Sequence, residues 1–170
     1  MKKTLFAILM ALGISTALMA QDYSQDVATI ESAMQAILDV ISGPAGKKID
    51  TARFRNLFRG NVQFLIRTKT KEGQMVIRES SVEDYVATIA PRLEAMDFFE
   101  TIGGTTVNRY GDIAHVFMVY ETRRSATGAP FDKGINSFQL IYDQNRWWIV
   151  SLMWQSASTG VPIPAEYLKK

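Results

Sequence analysis

His115 and Glu121 are the residues of this chain whose types best fit proton-transfer chemistry. His115 is the only histidine, and an unperturbed imidazole titrates near neutral pH, so it suits a general base. Glu121 lies further along the same apolar segment and offers a carboxylate for the same role. Each also has a structural interpretation, because His115 can be a strand residue with one backbone partner and Glu121 can pair with Arg123. The sequence names candidates for catalysis without deciding that there is any.

Other chemistries are excluded by what the sequence lacks. It contains no cysteine, which rules out thiol nucleophiles, disulfide bonds and zinc–thiolate sites. It also has no glycine-rich phosphate loop, no GxSxG elbow and no clustered metal ligands. We therefore expect no cofactor and no bound metal.

The first 20 residues have the layout of a secretory signal peptide. Lys2 and Lys3 precede an uncharged run that extends to Ala20 and ends in small residues. We expect cleavage near residues 17–20, a single mature domain over 21–170, and a periplasmic or secreted protein. The alternative is an uncleaved membrane anchor, because the run just reaches the lower length limit for a span.

Removal of this segment changes the charge of the protein. The full chain has 19 basic and 17 acidic residues, and loss of the two lysines leaves 17 of each kind. A neutral mature chain gives no support to a nucleic-acid partner or to stable membrane insertion after signal removal.

Apolar residues recur at helical spacing in three segments. The first stripe extends over 24–42. A short helix is predicted over 51–58, where Asp50 can cap its start. A third helix follows Ser81, which can begin a capping box, and Pro91 must kink or restart it.

The remainder alternates as β-structure. Strands are predicted at 62–70, 74–78, 98–110, 113–123 and, as a long hairpin, within 134–155. The hairpin turns at Asp143-Gln144-Asn145, where Asn145 suits a left-handed conformation. Segregated helices and strands indicate an α+β fold, a curved antiparallel sheet of about six strands wrapped around three helices.

Four stretches resemble the nuclear transport factor 2-like superfamily, which includes SnoaL-like cyclases and ketosteroid isomerase. They are FRNLFRGNVQFLI (54–66), EDYV (83–86), GDIAHVFMVYE (111–121) and the final hairpin (134–155), and the resemblance covers about residues 24–157. It is nearest to exported bacterial members with no assigned activity. The resemblance implies a cone-shaped fold with a pocket between the concave face of the sheet and the helices.

The resemblance also implies which side chains enter the pocket. If the hairpin loop has three residues, Tyr142 opposes Arg146, and Trp148 and Val150 share the concave face with Phe138. Similarity to relatives places His115 and its alternate neighbours up to Glu121 on the same face. The expected ligand-binding residues are Tyr85, His115, Phe117, Asn136, Phe138, Trp148 and Trp154.

The catalytic sites of known relatives fit this chain poorly. Scytalone dehydratase-like sites use two histidines, and this chain has one. Ketosteroid isomerase-like sites need two carboxylates and a tyrosine, but Asp112, Asp132 and Asp143 are all predicted in turns or loops.

Three functions therefore stay open. We favour a domain that binds a small hydrophobic ligand, or a partner, through the cone. The first alternative is a cofactor-free isomerase, dehydratase or cyclase with His115 or Glu121 as general base. The second is a dimeric assembly module, since a homodimer could form on the outer face of the sheet. That face is expected to carry Ala114, Val116, Met118, Tyr120, Trp147, Ile149 and Met153.

Overall fold

The first helix covers the sheet through a continuous apolar face. A computed structural model describes residues 21–168, so the predicted signal peptide lies outside the described residues. Helix α1 spans Ile30–Ile41 and follows a 3-10 turn at Ser24–Val27. Thr29 and Ser32 form a capping box at its start, which places the cap later than Ser24.

Helix α2, Thr51–Asn56, places two aromatic rings beneath α1. The Asp50 carboxylate accepts a hydrogen bond of 2.9 Å from the backbone N–H of Arg53, as the sequence predicted. Phe54 and Phe58 pack with ring centroids 5.1 Å apart, and Phe58 lies 5.2 Å from Phe64 of the sheet. This aromatic cluster joins α2 to the sheet.

The third helical segment changes its winding before Pro91. Helix α3 spans Val82–Asp84, a π-helical turn spans Tyr85–Ile89, and helix α4 spans Ala90–Glu94. Ser81 forms the predicted capping box with Asp84. Proline has no N–H and its ring clashes with the carbonyl one turn back, so a local change in winding is the expected result. The π turn carries Tyr85 toward the sheet.

Six strands form one open, mixed sheet. They are β1 Gln63–Lys69, β2 Met75–Ser81, β3 Phe99–Tyr110, β4 Ile113–Arg123, β5 Asp132–Asp143 and β6 Arg146–Ser156. The strand order is β2-β1-β6-β5-β4-β3. Neighbours are antiparallel except β1 and β6, which run parallel. The predicted α+β class and strand number are confirmed, with one parallel pair and no closure into a barrel.

The hairpin between β5 and β6 differs from its predicted register. Asp143 pairs with Arg146, so the loop has two residues, and Tyr142 opposes Trp147. Gln144 and Asn145 have φ of 53° and 61°, as a two-residue hairpin turn of type I′ requires. The three-residue loop was wrong, because Gln144 as well as Asn145 adopts the left-handed conformation.

A bulge in β6 then partly restores the predicted facing. Leu140 pairs with Ile149 and Gln139 with Ser151, which leaves Val150 as the extra residue. Beyond the bulge, Phe138 pairs with Leu152 and not with Val150 as the three-residue loop implied, but Leu152 and Trp154 still share the concave face with Phe138. The two-residue turn therefore reverses which side chains face inward only in the first part of β6, before Val150.

The core lies between the concave face and the helices. It contains side chains that the sequence analysis had assigned to the outer face, and these assignments were wrong: Ala114, Val116, Met118, Tyr120, Trp147 and Ile149 are all buried. Met153, by contrast, lies on the outer face beside Leu65 of β1.

The C-terminal segment crosses the outer face. A 3-10 turn at Ala157–Thr159 follows β6, and residues 161–164, which have no regular secondary structure, lead to a second 3-10 turn at Ala165–Leu168. The Tyr167 ring packs against Phe117 of β4, with centroids 5.4 Å apart. Within 21–168, no helix combines the length and apolar character needed to cross a membrane.

Candidate functional site

A cavity of about 250 Å³ lies between the helices and the concave face of the sheet. Most of its wall is apolar. Representative members are Leu38 of α1, Phe54 of α2, Leu93 of α4, Phe64 of β1, Phe138 of β5 and Trp154 of β6. The Tyr85 ring stacks on Phe54 at 4.9 Å and meets Phe64 edge-on at 5.9 Å. The cavity can accept a small apolar group against aromatic surfaces.

The same cavity carries polar side chains from β3, β4 and β5. Glu100, Tyr120, Thr122, Asp132 and Asn136 line it. The Tyr120 hydroxyl lies 3.5 Å from Asp132 Oδ2, at the long limit of a hydrogen bond. The arrangement is an apolar chamber with acidic and hydroxyl groups in its lining.

Asp132 is held in place by a neighbouring strand. The Ser156 hydroxyl donates to Asp132 Oδ1 at 2.5 Å. Gly134 permits this close packing, because a side chain there would collide with the Gln155 carbonyl and the Tyr120 ring. The acidic end of the cavity is therefore fixed by β5 and β6 together.

Glu100 has the most perturbed carboxyl of the site. Burial, and after it the negative charge of Asp132, raises its pKa from 4.5 to about 7. No side chain among the described residues donates a hydrogen bond to its carboxylate. The Ser42 hydroxyl accepts from the backbone N–H of Glu100 and donates to its backbone carbonyl. Near neutral pH this carboxyl can act as a donor or as an acceptor.

Two tyrosines in the cavity remain protonated over the neutral range. Burial, followed by the charge of Glu100, raises the pKa of Tyr85 well above its usual value. Burial and the charges of Asp132 and Glu100 raise the pKa of Tyr120 in the same way. Both hydroxyls can therefore donate hydrogen bonds to a ligand.

Four of the expected ligand-binding residues do line this cavity. They are Tyr85, Asn136, Phe138 and Trp154. Asn136 and Phe138 pair with Trp154 and Leu152 across β5 and β6, so these side chains share the concave face. The sequence placed this part of the site correctly, and their role in binding stays a prediction.

His115, Phe117 and Glu121 lie on the outer face, which corrects their expected placement. Phe138 of the concave face pairs with Val116, so the even-numbered residues of β4 face the concave side, where Tyr120 and Thr122 line the cavity. Side chains alternate along a strand, and the odd-numbered residues therefore point away. The assumption taken from relatives was shifted by one residue in β4.

The outer face provides ordinary partners for these side chains. His115 Nε2 lies 3.0 Å from the Ser137 hydroxyl, and its ring meets that of Phe117 edge-on at 4.7 Å. Glu121 forms an ion pair with Arg123, which is the structural interpretation that the sequence left open. Neither candidate base reaches the cavity.

Trp148 is also on the outer face, because the two-residue turn reverses the start of β6. Its Nε1 donates to the Asp143 carbonyl at 3.2 Å, and the Arg146 guanidinium lies 3.6 Å from its ring centroid. Trp147 takes the inward position and is buried. The expected placement of Trp148 in the pocket was wrong for this reason.

Sequence reasoning missed Glu100, Tyr120 and Asp132. Glu100 directly follows Phe98 and Phe99, so an acidic residue next to two aromatic residues at the start of a strand was a usable signal. Asp132 was predicted to lie in a loop, but it is the first residue of β5. In the part of the chain that the structure describes, no three acidic or imidazole side chains cluster as a metal site would require.

The architecture recurs in solved structures. A nuclear transport factor 2-like protein from Cytophaga hutchinsonii ATCC 33406 is 12% identical, and the match covers 75% of this chain and 94% of that chain with a TM-score of 0.54. One of unknown function from Pseudomonas putida KT2440 is 13% identical, with coverages of 82% and 86% and a TM-score of 0.53. A protein of unknown function with a cystatin-like fold from Nostoc punctiforme PCC 73102 is 8% identical, with coverages of 75% and 87% and a TM-score of 0.57.

These likenesses establish the fold alone. The chain has the nuclear transport factor 2-like fold, as its sequence motifs predicted. No family model and no curated protein matches the sequence. Function must be argued from the cavity itself, because this fold supports many unrelated activities.

Proposed function

We propose that this protein binds a small, mainly hydrophobic ligand in the cavity between its helices and the concave face of its sheet. The observation that carries the proposal is the cavity of about 250 Å³, whose aromatic wall includes a strongly desolvated carboxyl at Glu100. A chamber of this kind favours an apolar body with few polar groups. Tyr85, Tyr120 and Asn136 supply the hydrogen bonds that would orient it.

Two matched tryptophan variants test this proposal. Trp154→Phe changes the cavity wall, whereas Trp148→Phe makes the same chemical change on the outer face. We expect affinity for the neutral fluorescent probe N-phenyl-1-naphthylamine to change severalfold in the first variant and to stay constant in the second. Ile41→Trp should weaken binding further, because Ile41 lines the cavity and the larger ring would fill it.

Equal probe affinity in wild type and both cavity variants would contradict the proposal. Denaturant unfolding of each variant provides the control for folding. If Trp154→Phe lowers only the unfolding midpoint, the cavity is part of the core and not a binding site.

A proton-transfer enzyme of the isomerase, dehydratase or cyclase kind is the second candidate. One observation favours it: the pKa of Glu100 is raised to about 7 in a cavity that Tyr85 and Tyr120 also line. A general base works best when its pKa lies near the working pH, and tyrosines can stabilise a developing oxyanion. Glu100 replaces His115 and Glu121 in this role.

Turnover of a substrate would separate the two candidates. Glu100→Gln should reduce it on the order of a hundredfold or more if Glu100 is the base. His115→Gln is the control, because His115 lies on the outer face. Comparable turnover losses in the two variants would contradict this role of Glu100.

We also propose that the protein forms a homodimer through the outer face. Support comes from three exposed apolar side chains there, Leu65, Ile77 and Met153, which are 37%, 62% and 39% exposed. Ile77→Lys should then give a folded monomer by light scattering, whereas Lys71→Ala in the β1–β2 turn should not. A wild-type protein that is monomeric at high concentration would contradict the dimer.

We also propose that the protein is exported from the cytoplasm. The lysine pair and apolar run at 1–20 support a periplasmic or secreted location. Intact-mass measurement on protein recovered from the export compartment should find a mature chain that begins near residue 18 or 21. A mass that includes Met1 would contradict cleavage.

A further inference from the structure

The cavity contains acidic side chains without a basic counterpart. Glu100 and Asp132 both line it, and no lysine, arginine or histidine is among the described residues of its wall. The ion pairs found within 21–168 use other acids: Asp26, Glu83, Glu94, Glu121 and Asp143. Within 21–168, therefore, no basic side chain of the cavity wall or of an ion pair balances these two carboxyl groups.

Asp132 and Glu100 differ in the hydrogen bonds that the protein donates to their carboxyl groups. Asp132 accepts from the Ser156 hydroxyl and lies near the Tyr120 hydroxyl. Glu100 is partly exposed and has no side-chain donor in the described part of the chain, and the protein atoms packed around its carboxyl desolvate it. An ionised carboxylate in such a place is costly unless a cation or a set of donors pairs with it. A ligand that brings a positive charge would remove this cost.

The aromatic wall suits the same ligand. Tyr85 and Phe54 stack face to face at 4.9 Å, and the Trp154 ring lies 6.2 Å from that of Phe64. Aromatic faces attract cations as well as apolar groups, so one wall can hold both parts of an amphiphilic amine. A ligand carboxylate would instead meet two like charges.

We infer that the ligand of this cavity is a small, largely apolar amine, whose ammonium group pairs with Glu100 near Asp132 and whose hydrocarbon part packs on the aromatic wall. This inference rests on the proposed binding function and names its ligand class. An amine with one ring or a short chain is smaller than N-phenyl-1-naphthylamine and occupies less of the volume of about 250 Å³.

Binding of an amine in this cavity should depend on pH. A bound ammonium group favours the ionised form of Glu100, whose pKa is about 7 in the empty cavity. Binding near neutral pH therefore releases a proton, and affinity rises about tenfold between about pH 6 and pH 8. The other titratable groups that face Glu100 are Asp132 from β5, Tyr120 from β4 and Tyr85 from the π turn. The α1 and α4 residues of the wall, Ile37, Leu38, Ile41 and Leu93, are uncharged.

Three probes of similar size test the charge preference: 2-phenylethylamine, 2-phenylethanol and 3-phenylpropanoate. Calorimetric titration at about pH 8 should show the amine binding at least tenfold more tightly than the alcohol, and the carboxylate most weakly. Glu100→Gln should remove the advantage of the amine, so that this variant binds the amine and the alcohol with affinities within about twofold of each other. Glu121→Gln, the same change on the outer face, should preserve the wild-type order.

Equal binding of amine and alcohol, or a preference for the carboxylate, overturns the inference and leaves the proposed binding function standing. Failure of all three probes and of N-phenyl-1-naphthylamine overturns both. If Glu100→Gln does not fold, Asp132→Asn takes its place, and an undiminished amine preference in that variant counts against the inference.

Discussion

The two faces of the sheet treat their charged and polar side chains differently. On the outer face, Glu121 pairs with Arg123, and His115 lies 3.0 Å from the Ser137 hydroxyl. On the cavity face, the Glu100 carboxylate has no side-chain partner among the described residues, and its pKa is raised to about 7. These two side chains of the outer face have partners within the protein, whereas the Glu100 carboxyl on the cavity face has no side-chain partner in the described part of the chain.

Adjacent residues of one strand therefore differ in whether they can contact a ligand in the cavity. Tyr120 lines the cavity, while Glu121, the next residue, is paired on the outer surface. Because side chains alternate along a strand, an error of one residue exchanges the two sets completely. A functional role can be assigned to a strand residue only when the face of the sheet that its side chain occupies is known.

The largest expected contrast between the faces is in stability. Phe138 is 0% exposed on the cavity face, and Phe117 is half-buried on the outer face beneath Tyr167. Phe138→Ala should lower the free energy of unfolding by about 3–5 kcal/mol and Phe117→Ala by about 1–2 kcal/mol, measured by urea denaturation. Equal losses would show that the outer face is as tightly packed as the core, and would contradict the contrast.

The next contrast concerns pH. The pKa of Glu100 is raised from 4.5 to about 7, so the folded protein keeps a proton that the unfolded chain loses between these values. The folded state is then favoured at the acidic end of this window, and stability falls as the pH rises through it. We expect a decline on the order of 2 kcal/mol between about pH 5 and pH 8.

Glu100→Gln should remove most of this decline, so the variant should match the wild type near pH 5 and exceed it near pH 8. Glu121→Gln on the outer face is the matched control and should retain the decline. Thermal unfolding of the three proteins across this range provides the measurement. An unchanged decline in Glu100→Gln would assign it to other groups.

The helices and the number of strands could be predicted because they depend on local patterns. The cap at Asp50, the capping box at Ser81 and the break at Pro91 each involve residues a few positions apart. The order of the elements was sufficient to indicate an α+β fold. These parts of the structure need no knowledge of distant contacts.

The lining of the cavity could be predicted only in part, because it depends on turn length and on a bulge. Asp143-Gln144-Asn145 suits a three-residue loop by composition, and glutamine rarely adopts the left-handed conformation that Gln144 has. Val150 forms the bulge although valine is a regular strand residue. The two deviations offset one another, so Trp154 was placed correctly and Trp148 was not.

The acidic part of the cavity was beyond local patterns for a different reason. Glu100, Tyr120 and Asp132 come from three strands, and they meet only because those strands are adjacent in the sheet. The raised pKa of Glu100 depends on burial and on the charge of Asp132, both of which are tertiary properties. His115, the only histidine, was predicted as a candidate base, but its position in β4 puts it on the outer face of the sheet.

His115→Gln tests whether the outer face is separate from the cavity. The substitution keeps a polar group of similar reach, so it should cost no more than about 1 kcal/mol through its contact with Ser137. Probe affinity should be unchanged, because the side chain points away from the cavity. A fall in affinity without a fall in the unfolding midpoint would show coupling between the two faces and would weaken the contrast between them.

The smallest expected effect is at the turn that determines which side chains of β6 face inward. Gln144 has a φ of 53°, a conformation that costs most residues about 1–2 kcal/mol and glycine almost nothing. Glycine also increases the freedom of the unfolded chain, which offsets roughly 0.5–1 kcal/mol of the gain. Gln144→Gly should therefore stabilise the protein by about 0.5 kcal/mol in urea denaturation.

Asn145→Gly is the comparison, because asparagine tolerates its φ of 61° better than glutamine does and should leave less to gain. Both variants should keep wild-type affinity for the cavity probe, since a two-residue turn maintains the pairing of Asp143 with Arg146. If Gln144→Gly loses affinity, the turn has changed length and the register of β6 has moved with it. A more stable protein with an unaltered cavity would show that the turn selects the two faces through backbone conformation and not through the side chain of Gln144.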